Sequence, residues 1–349
     1  ALSSNYPLYA DMSNRVMSIL STYSPEYEIY SIDECFIELT GITKLRETSY
    51  QIREKIIKWT GIPVCVGIGS TKTLAKLANF IAKKHPKSKG VFNYNDLTKV
   101  QQKKILDCVP VNEVWGVGRK LSIQLKESGI NTVEDLKTAH IPTLRKKFSV
   151  VMEKTQRELQ GVTCFNLEDV TPNKKQIISS RSFGKSVNDI NILKDAICTF
   201  VSNATEKLRA QQSHTSAIHV FLKTNRFKVN QPQYMPSLAI RLPQPTNSSL
   251  TINRWSNHLL KKIFRPEYSY KKAGIILCEI SDIHAWQVDW IESTTSSDSK
   301  LMITLDRLNQ RFGRGTIKIS DQGFHKEWRM KQERKSPSYT TDWNSIPRV

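Results

Sequence analysis

Apolar residues recur along this chain with two periods, and the period changes with region. Over Glu47–Trp59 the spacing of Ile52, Ile56 and Ile57 is helical, and over Thr71–Lys84 the residues Leu74, Leu77, Ala78 and Ile81 fall on one helical face. Val64–Ile68 is an apolar run of strand length. Tyr27, Ile29 and Ile32 lead into an adjacent pair of carboxylates, Asp33 and Glu34, and Phe36, Ile37 and Leu39 lead out. The pattern puts that pair at the junction of two strands. Residues 1–96 therefore read as helix, strand pair, helix, strand, helix, strand, an α/β arrangement. Residues 97–174 read as short helices broken by Gly and Pro. Strand-like runs at Ile177–Ser182, Ala217–Lys223, Ser237–Leu242 and Lys272–Ile280 alternate with helical patterns at Ile192–Ala210 and Leu250–Ile263. That β-α-β-β-α-β order is the pattern of a small split-βαβ sheet domain. Residues 282–349 carry a Ser/Thr/Asp patch, Ser293–Ser299, a helical pattern over Lys300–Gln310 and little obvious core.

At 349 residues the chain has room for two or three domains. No run approaches a membrane span, and the N-terminus lacks a charged-then-apolar signal. Six scattered cysteines form no Cys-x-x-Cys pair, which argues for reduced, buried thiols in a cytosolic protein and against a zinc site or disulfide framework. The seven histidines show no triad or metal spacing. Charge changes the picture more. Residues 175–281 hold 16 basic residues against 5 acidic, more than half of the chain's net charge of +20. Such an excess points to a polyanion, nucleic acid before membrane, with plain solubility as the alternative.

Three clusters carry candidate chemistry. Asp33 and Glu34 side by side repel each other unless a cation sits near them, and hard divalent ions take oxygen ligands of this kind together with substrate phosphates. The competing reading is a solvated turn. Val114-Trp115-Gly116-Val117-Gly118-Arg119-Lys120-Leu121, with Leu125 and Gly129-Ile130, has the form of a helix-hairpin-helix. In that motif two glycines permit a tight turn whose backbone N–H groups and helix N-terminus face a phosphate, beside Arg119 and Lys120. The alternative is an ordinary turn. Lys72 and Lys76, four apart, share one helical face and are otherwise solvent-exposed lysines.

Ser31-Ile32-Asp33-Glu34 followed by Phe36 and Leu39-Thr40-Gly41 resembles the second carboxylate motif of Y-family (translesion) DNA polymerases. Tyr9, Ser13, Val16, Met17 and Leu20, then Tyr23-Ser24-Pro25, resemble the palm helix before it, and Val66–Asn79 resembles the next palm strand and helix. The resemblance covers essentially the whole chain, including Ser336-Pro337-Ser338-Tyr339-Thr340-Thr341, and is greatest to the error-prone SOS (UmuC-type) branch. It implies an α+β multidomain fold: a partial palm over 1–96, a helical thumb with the helix-hairpin-helix over 97–174, a split-βαβ little finger over 175–281 and a C-terminal tail over 282–349. The implied activity is error-prone, DNA-templated nucleotidyl transfer across damaged template, using two Mg²⁺ ions. On this resemblance Asp33 and Glu34 are catalytic metal ligands, and Lys72 and Lys76 lie at the incoming triphosphate. Gly116, Gly118, Arg119 and Lys120 of the hairpin, with Arg181, Lys185, Lys223 and Arg226 of the basic domain, bind DNA.

The same resemblance implies primer-template DNA and deoxynucleoside triphosphates as substrates. It also implies a UmuD-type accessory subunit, a RecA-type filament and a sliding clamp as partners, in the bacterial cytoplasm at the nucleoid. Gln287, Trp290 and Ile291 stand where the clamp peptide falls, in degenerate form. The tail, with Trp286, Trp290, Trp328 and Trp343, then reads as a partner-docking segment, the alternative being that these tryptophans pack back on the little finger. One departure matters. In the family a first strand carries another metal-binding Asp and a finger segment follows it, whereas this chain opens with Ala1-Leu2-Ser3-Ser4-Asn5-Tyr6 at the palm helix. The resemblance therefore implies a fragment or truncated product. The rival reading it leaves open is a catalytically inactive DNA-binding or assembly subunit. A helix-hairpin-helix nuclease would need a further carboxylate cluster, which the sequence lacks.

Overall fold

The computed structural model describes residues 2–168, 173–283, 296–323, 328–330 and 332–346. They form two units, Ala1–Thr171 with Arg334–Val349, and Pro172–Glu333, so the second unit interrupts the first in sequence.

In the first unit helix α1 (Tyr6–Leu20) leads to a hairpin, β1 (Tyr27–Ile29) and β2 (Cys35–Ile37), antiparallel with Ile29 opposite Cys35. The strand pair anticipated around Asp33 and Glu34 is thus present. Helix α2 (Leu45–Thr60) ends at Gly61, whose positive φ of 71° closes the helix in a conformation that glycine adopts without a Cβ penalty. Strand β3 (Val66–Ile68), helix α3 (Lys72–Lys84) and strand β4 (Val91–Asn93) follow, with β3 and β4 parallel. Gly67 and Gly69 explain how β3 and α3 come together. A Cβ on Gly67 would lie 2.1 Å from the Asn79 amide nitrogen, and one on Gly69 2.6 Å from that of Ala75. The two two-stranded sheets do not pair with each other.

Five short helices complete this unit: α4 (Lys99–Cys108), α5 (Arg119–Glu127), α6 (Val133–Thr138), α7 (Ile141–Lys147) and α8 (Val150–Leu159). The expected boundary at 96/97 does not separate two cores. Leu74, Leu77 and Ile81 of α3 share one cluster with Leu106, Leu125, Leu136 and Leu159. A smaller cluster of Ile19, Ile52 and Ile56 joins α1 to α2.

The second unit is the alternating region. Strand β5 (Ile177–Val187), helix α9 (Ile190–Ala210), strands β6 (Ser213–Thr224) and β7 (Ser237–Thr246), helix α10 (Ser249–Ile263) and strand β8 (Tyr270–Asp282) follow the order read from the sequence. The sheet order is β5-β8-β6-β7, all neighbours antiparallel, so β8 splits the β5-α9-β6 pair. Alternate residues Ile218, Val220 and Leu222 of β6 and Ala273, Ile275 and Leu277 of β8 are buried in one core with Ile197, Phe200 and Leu208 of α9 and Ile252, Leu259 and Leu260 of α10. On the opposite face Phe221 lies across Gly274, where a Cβ would be 2.6 Å from its ring.

The tail is divided between the units. Helix α11 (Ser296–Phe312) and the segment to Glu333 belong to the second. Trp328 is buried edge-on against Phe200 (5.2 Å between ring centroids) and Phe183 (6.3 Å). Arg209 of α9 makes a bidentate pair with Asp306 (2.6 and 2.8 Å), and Gln322 reaches Ser202. Of the four tail tryptophans, Trp328 therefore packs back on the sheet domain and Trp343 is open at 89% exposure, while Trp286 and Trp290 lie outside the described residues. Residues 334–346 return to the first unit. The Ser3 amide donates to the Arg334 carbonyl (2.8 Å), and the buried Asn5 side chain donates to the carbonyl of Ser336 (3.0 Å). The thiols also differ from expectation: Cys198 is buried, Cys108 is exposed at the end of α4, and the remaining four are half-buried. Among the described residues no helix is long and apolar enough to cross a membrane.

Candidate active site

The β1–β2 turn sets Asp33 and Glu34 at its tip. Ser31 closes the turn, its hydroxyl donating to Asp33 Oδ1 at 2.6 Å. Asp33 is exposed and Glu34 half-buried. Helix α3 approaches from the other side. Thr71 caps it by accepting from the Leu74 amide, which starts the helix at Lys72 and puts Lys72 and Lys76 on consecutive turns of the face toward the hairpin. Lys76 Nζ stands 2.5 Å from Glu34 Oε1 and 5.2 Å from the centre of the Tyr30 ring. Lys72 is buried, pairs with Glu28, donates to the Asn166 carbonyl at 2.9 Å and lies over the Phe36 ring. The two lysines therefore differ. Lys76 is partly open, whereas Lys72 is tied into the fold.

Both carboxylates and both lysines line a cavity of about 810 Å³. Its apolar lining comes from Ile37 of β2 and Leu39 after it, Val66 and Ile68 of β3, and Leu20 and Ile52 of the helices. The unpaired edges of β2 and β3 thus open on one space. The Cys35 thiol in this lining is pushed up to about 11 by burial, reinforced by the Glu28 carboxylate, so it stays protonated at neutral pH.

Several residues that organise this site have roles that no motif assigns. Glu158 of α8 is fully buried. One carboxylate oxygen accepts from the Thr73 amide at 3.0 Å, and the other from the amides of Cys164 (2.8 Å) and Phe165 (3.1 Å). It thereby satisfies a free donor in the first turn of α3 and fixes the segment that follows α8. Glu28 holds Lys72 and also accepts from the Glu168 amide at 2.8 Å. Trp115 donates its indole N–H to the Tyr30 hydroxyl at 3.0 Å and packs against Tyr30, Phe36 and Phe165. It joins the carboxylate hairpin to the Gly116 turn. The only signal in the sequence was a charged Glu28 and an aromatic Tyr30 in a very short strand region.

In the two-glycine turn of the candidate hairpin Gly116 has a positive φ, +86°, while Gly118 has φ −79° and precedes α5 as its N-cap; Gly129 after α5 is also positive, at +82°. A Cβ on either would meet nothing within 4 Å, so packing explains neither glycine. Arg119 and Lys120 begin α5 and are exposed. In the second unit Lys223 of β6 lies opposite Lys272 of β8 on the outer face of the sheet, and Arg226 lies in the β6–β7 loop. Lys185 is exposed in the irregular end of β5. Arg181 faces elsewhere: it is opposite Ala273, on the helix side, and lines a cavity with Phe200 and Trp328. Gln287, Trp290 and Ile291 fall outside the described residues.

Among the described residues no three His, Cys, Asp or Glu side chains are gathered for a metal. The donor set at the hairpin tip, two carboxylates on an open cavity, still suits a hard divalent ion of the kind that keeps waters and shares substrate phosphates.

An α/β unit with carboxylates at a hairpin tip and a four-stranded antiparallel sheet unit are thus carried on one chain. The structure of a Y-family DNA polymerase chimera, Dbh-Dpo4(243-245)-Dbh, matches the fold with a TM-score of 0.59 at 20% identity, over 80% of this chain and 78% of that one. Residues 1–79 match the impB/mucB/samB family, residues 174–289 its C-terminal domain, and residues 299–349 a domain of unknown function, DUF4113. Protein UmuC of Salmonella typhimurium is 41% identical over 353 residues, covering 99% of this chain and 83% of that protein. Protein ImpB of Salmonella typhimurium is 40% identical over 351 residues, covering 99% and 82%. The chain belongs to the impB/mucB/samB family of Y-family DNA polymerases. Its activity is that of a DNA-directed DNA polymerase in error-prone translesion synthesis and SOS mutagenesis. Polymerases of this class work with divalent metal ions.

Proposed function

We propose that the cavity beside Asp33 and Glu34 is the nucleotidyl-transfer site. One observation carries the assignment: Asp33, Glu34 and Lys76, from a hairpin and a helix remote in sequence, line one cavity, with Lys76 on Glu34 at 2.5 Å. Asp33 and Glu34 would hold Mg²⁺, two ions in the full site. When bound, such ions would supply Lewis-acid charge for the phosphoryl transfer, while Asp33 and Glu34 would hold them in place. Lys76 can exchange the Glu34 oxygen for a triphosphate oxygen, because its side chain is partly open and both partners are anionic. Lys72, buried on Glu28, orients the hairpin and adds positive charge from behind. The unpaired edges of β2 and β3 both face this cavity and leave their backbone groups open to it.

In this reading residues 1–96 are palm and 97–174 thumb, and up to Thr171 both fall within the first unit. Residues 175–281 are the little finger, with the tail after it. The Gly116–Gly118 turn and the start of α5 would grip phosphate through backbone N–H groups, aided by Arg119 and Lys120. Lys185, Lys223 and Arg226, with Arg181 at the margin, would hold primer-template DNA without reading its bases, which suits a damaged template. A UmuD-type subunit, a RecA-type filament and a sliding clamp are the accessory partners, in the bacterial cytoplasm at the nucleoid.

The test is metal-dependent binding of a fluorescent deoxynucleoside triphosphate to the chain on primer-template DNA, read by anisotropy. Asp33→Asn and Lys76→Ala are each expected to weaken it at least about ten-fold, the scale of one charge-assisted contact. Equal affinity in all three proteins would overturn the assignment.

A further inference from the structure

The loop between β6 and β7 is built in a way that neither the core nor the active site requires. The side-chain amide of Gln233 donates to the carbonyls of Asn225 (3.2 Å), Lys228 (3.1 Å) and Gln231 (3.1 Å), while its oxygen accepts from the Thr224 hydroxyl at 2.8 Å. Asn225 Oδ1 accepts from the Phe227 amide at 3.2 Å, and the Tyr234 amide donates to Thr224 Oγ1 at 3.1 Å. Tyr234 stacks on Tyr268 at 4.6 Å between ring centroids. The loop is thus braced from within, yet what it presents is apolar and open. Phe227 is 80% exposed and Val229 86%. Arg226 lies over the Phe227 ring at 5.0 Å, and Lys228 follows it. At the same end of the sheet Lys223 and Lys272 lie opposite one another. None of these four cations belongs to an ion pair with a described carboxylate.

We propose that this loop is a stacking platform for unpaired bases of a DNA strand running off the duplex, with Phe227 against a base and Arg226, Lys228, Lys223 and Lys272 along the phosphates. The proposal rests on the reading of the outer sheet face as a duplex-binding surface and extends it to single-stranded DNA. The chemistry selects that partner. A flat ring carried on a braced loop and open to water gains most from another flat face, and unpaired bases offer faces where the length of a duplex offers edges and phosphates. Inserting the ring into an intact duplex would first require unstacking a base step. Pre-organisation by Gln233 removes most of the ordering cost that an exposed loop would otherwise incur on binding. Stacking is sequence-tolerant, as a damaged template demands.

The test compares a blunt duplex with the same duplex carrying an unpaired extension, by anisotropy, using the full chain. The wild-type protein is expected to bind the extended DNA more tightly. Phe227→Ala should lose about ten-fold on the extended DNA and leave the blunt duplex unchanged, and Phe227→Trp should restore binding. Phe227 makes little contact with the fold, so the variant's thermal melt should match wild type. The double variant Lys223→Ala/Lys272→Ala should weaken both DNAs and reduce the salt slope by about 1.8 for the duplex. An equal loss on both DNAs for Phe227→Ala, or no loss on either, overturns the platform; the latter result would leave the ring to a protein partner. If instead the double lysine variant binds blunt duplex as wild type does, the duplex reading of the sheet face fails, while the Phe227 comparison still decides the platform.

Discussion

The two units of this protein solve the burial of a sheet differently. In the second unit four strands form one sheet, and two helices cover one face. In the first, two pairs of three-residue strands stay separate, and the space between them is an apolar cavity with carboxylates at its rim. The second unit is a closed core that presents charge on its outside. The first keeps its apolar wall and its acids open to one another, the arrangement a reaction site requires. The difference separates residues that hold shape from residues left open to a ligand, and six substitutions probe it.

The largest effect is expected in the closed unit. Trp328→Ala removes the ring packed on Phe200 and Phe183 and should destabilise the second unit by about 3–5 kcal/mol, as large-to-small core changes do. Differential scanning calorimetry should show one transition moving and the other staying. If both move together, the units melt as one and the contrast collapses.

Next come the two lysines at the rim. Lys72→Met leaves Glu28 nearly buried without its cation and should cost about 3 kcal/mol of stability. Lys76→Met removes a pair whose glutamate is 44% exposed and should cost no more than about 1 kcal/mol. Urea denaturation measures both. A reversed order would place Lys76 in the scaffold and Lys72 at the ligand.

Glycines give a smaller contrast. Gly67→Ala drives a methyl group onto α3 and should cost about 1–3 kcal/mol. Gly118→Ala, with nothing within 4 Å and an ordinary φ, should cost only about 0.5–1 kcal/mol, the difference between Gly and Ala as an N-cap. It should nevertheless weaken duplex binding, measured by anisotropy, if the turn meets phosphate. A large loss of stability in Gly118→Ala would make that glycine structural.

The smallest effect is one of pH. Burial lowers the pKa of His214, and its Nδ1 is buried without a hydrogen-bond partner, so the folded protein resists protonating it. Between the lowered folded value and the usual 6.5, the unfolded chain binds the proton more readily. Stability of the second unit should therefore be fully present above pH 6.5 and decline as pH falls through that window. Melts from pH 7.5 to 5.5 should show a slope that His214→Gln flattens, and identical slopes would remove His214 from the account.

How far each unit was legible in the sequence follows from the same contrast. Alternation in Ile218, Val220 and Leu222, and in Ala273, Ile275 and Leu277, specified the second unit because one buried face is enough to set strand register. The acidic pair and its flanking strands were legible for the same local reason. Glu28, Glu158 and Trp115 were not. Each acts on a residue more than forty positions away, and no local period encodes which amide or ammonium a buried carboxylate will meet. The two-glycine turn was legible as a motif, but only Gly116 adopts the positive φ such a turn uses. The 96/97 boundary follows the change to short helices broken by Gly and Pro, and Leu74 and Leu125 on its two sides meet in one core, a contact no local pattern reveals.

Asn5 is fully buried, and its amide is satisfied by Ser336 and Pro337. On the ribosome these residues emerge more than three hundred positions apart. At about 5–20 residues per second, Asn5 waits roughly fifteen seconds to a minute for its partners. The first unit thus begins to form early and is finished last, after the whole intervening domain has left the exit tunnel. A nascent chain stalled before residue 336 would carry a first unit with Asn5 still unpaired and a second unit whose sheet is already whole.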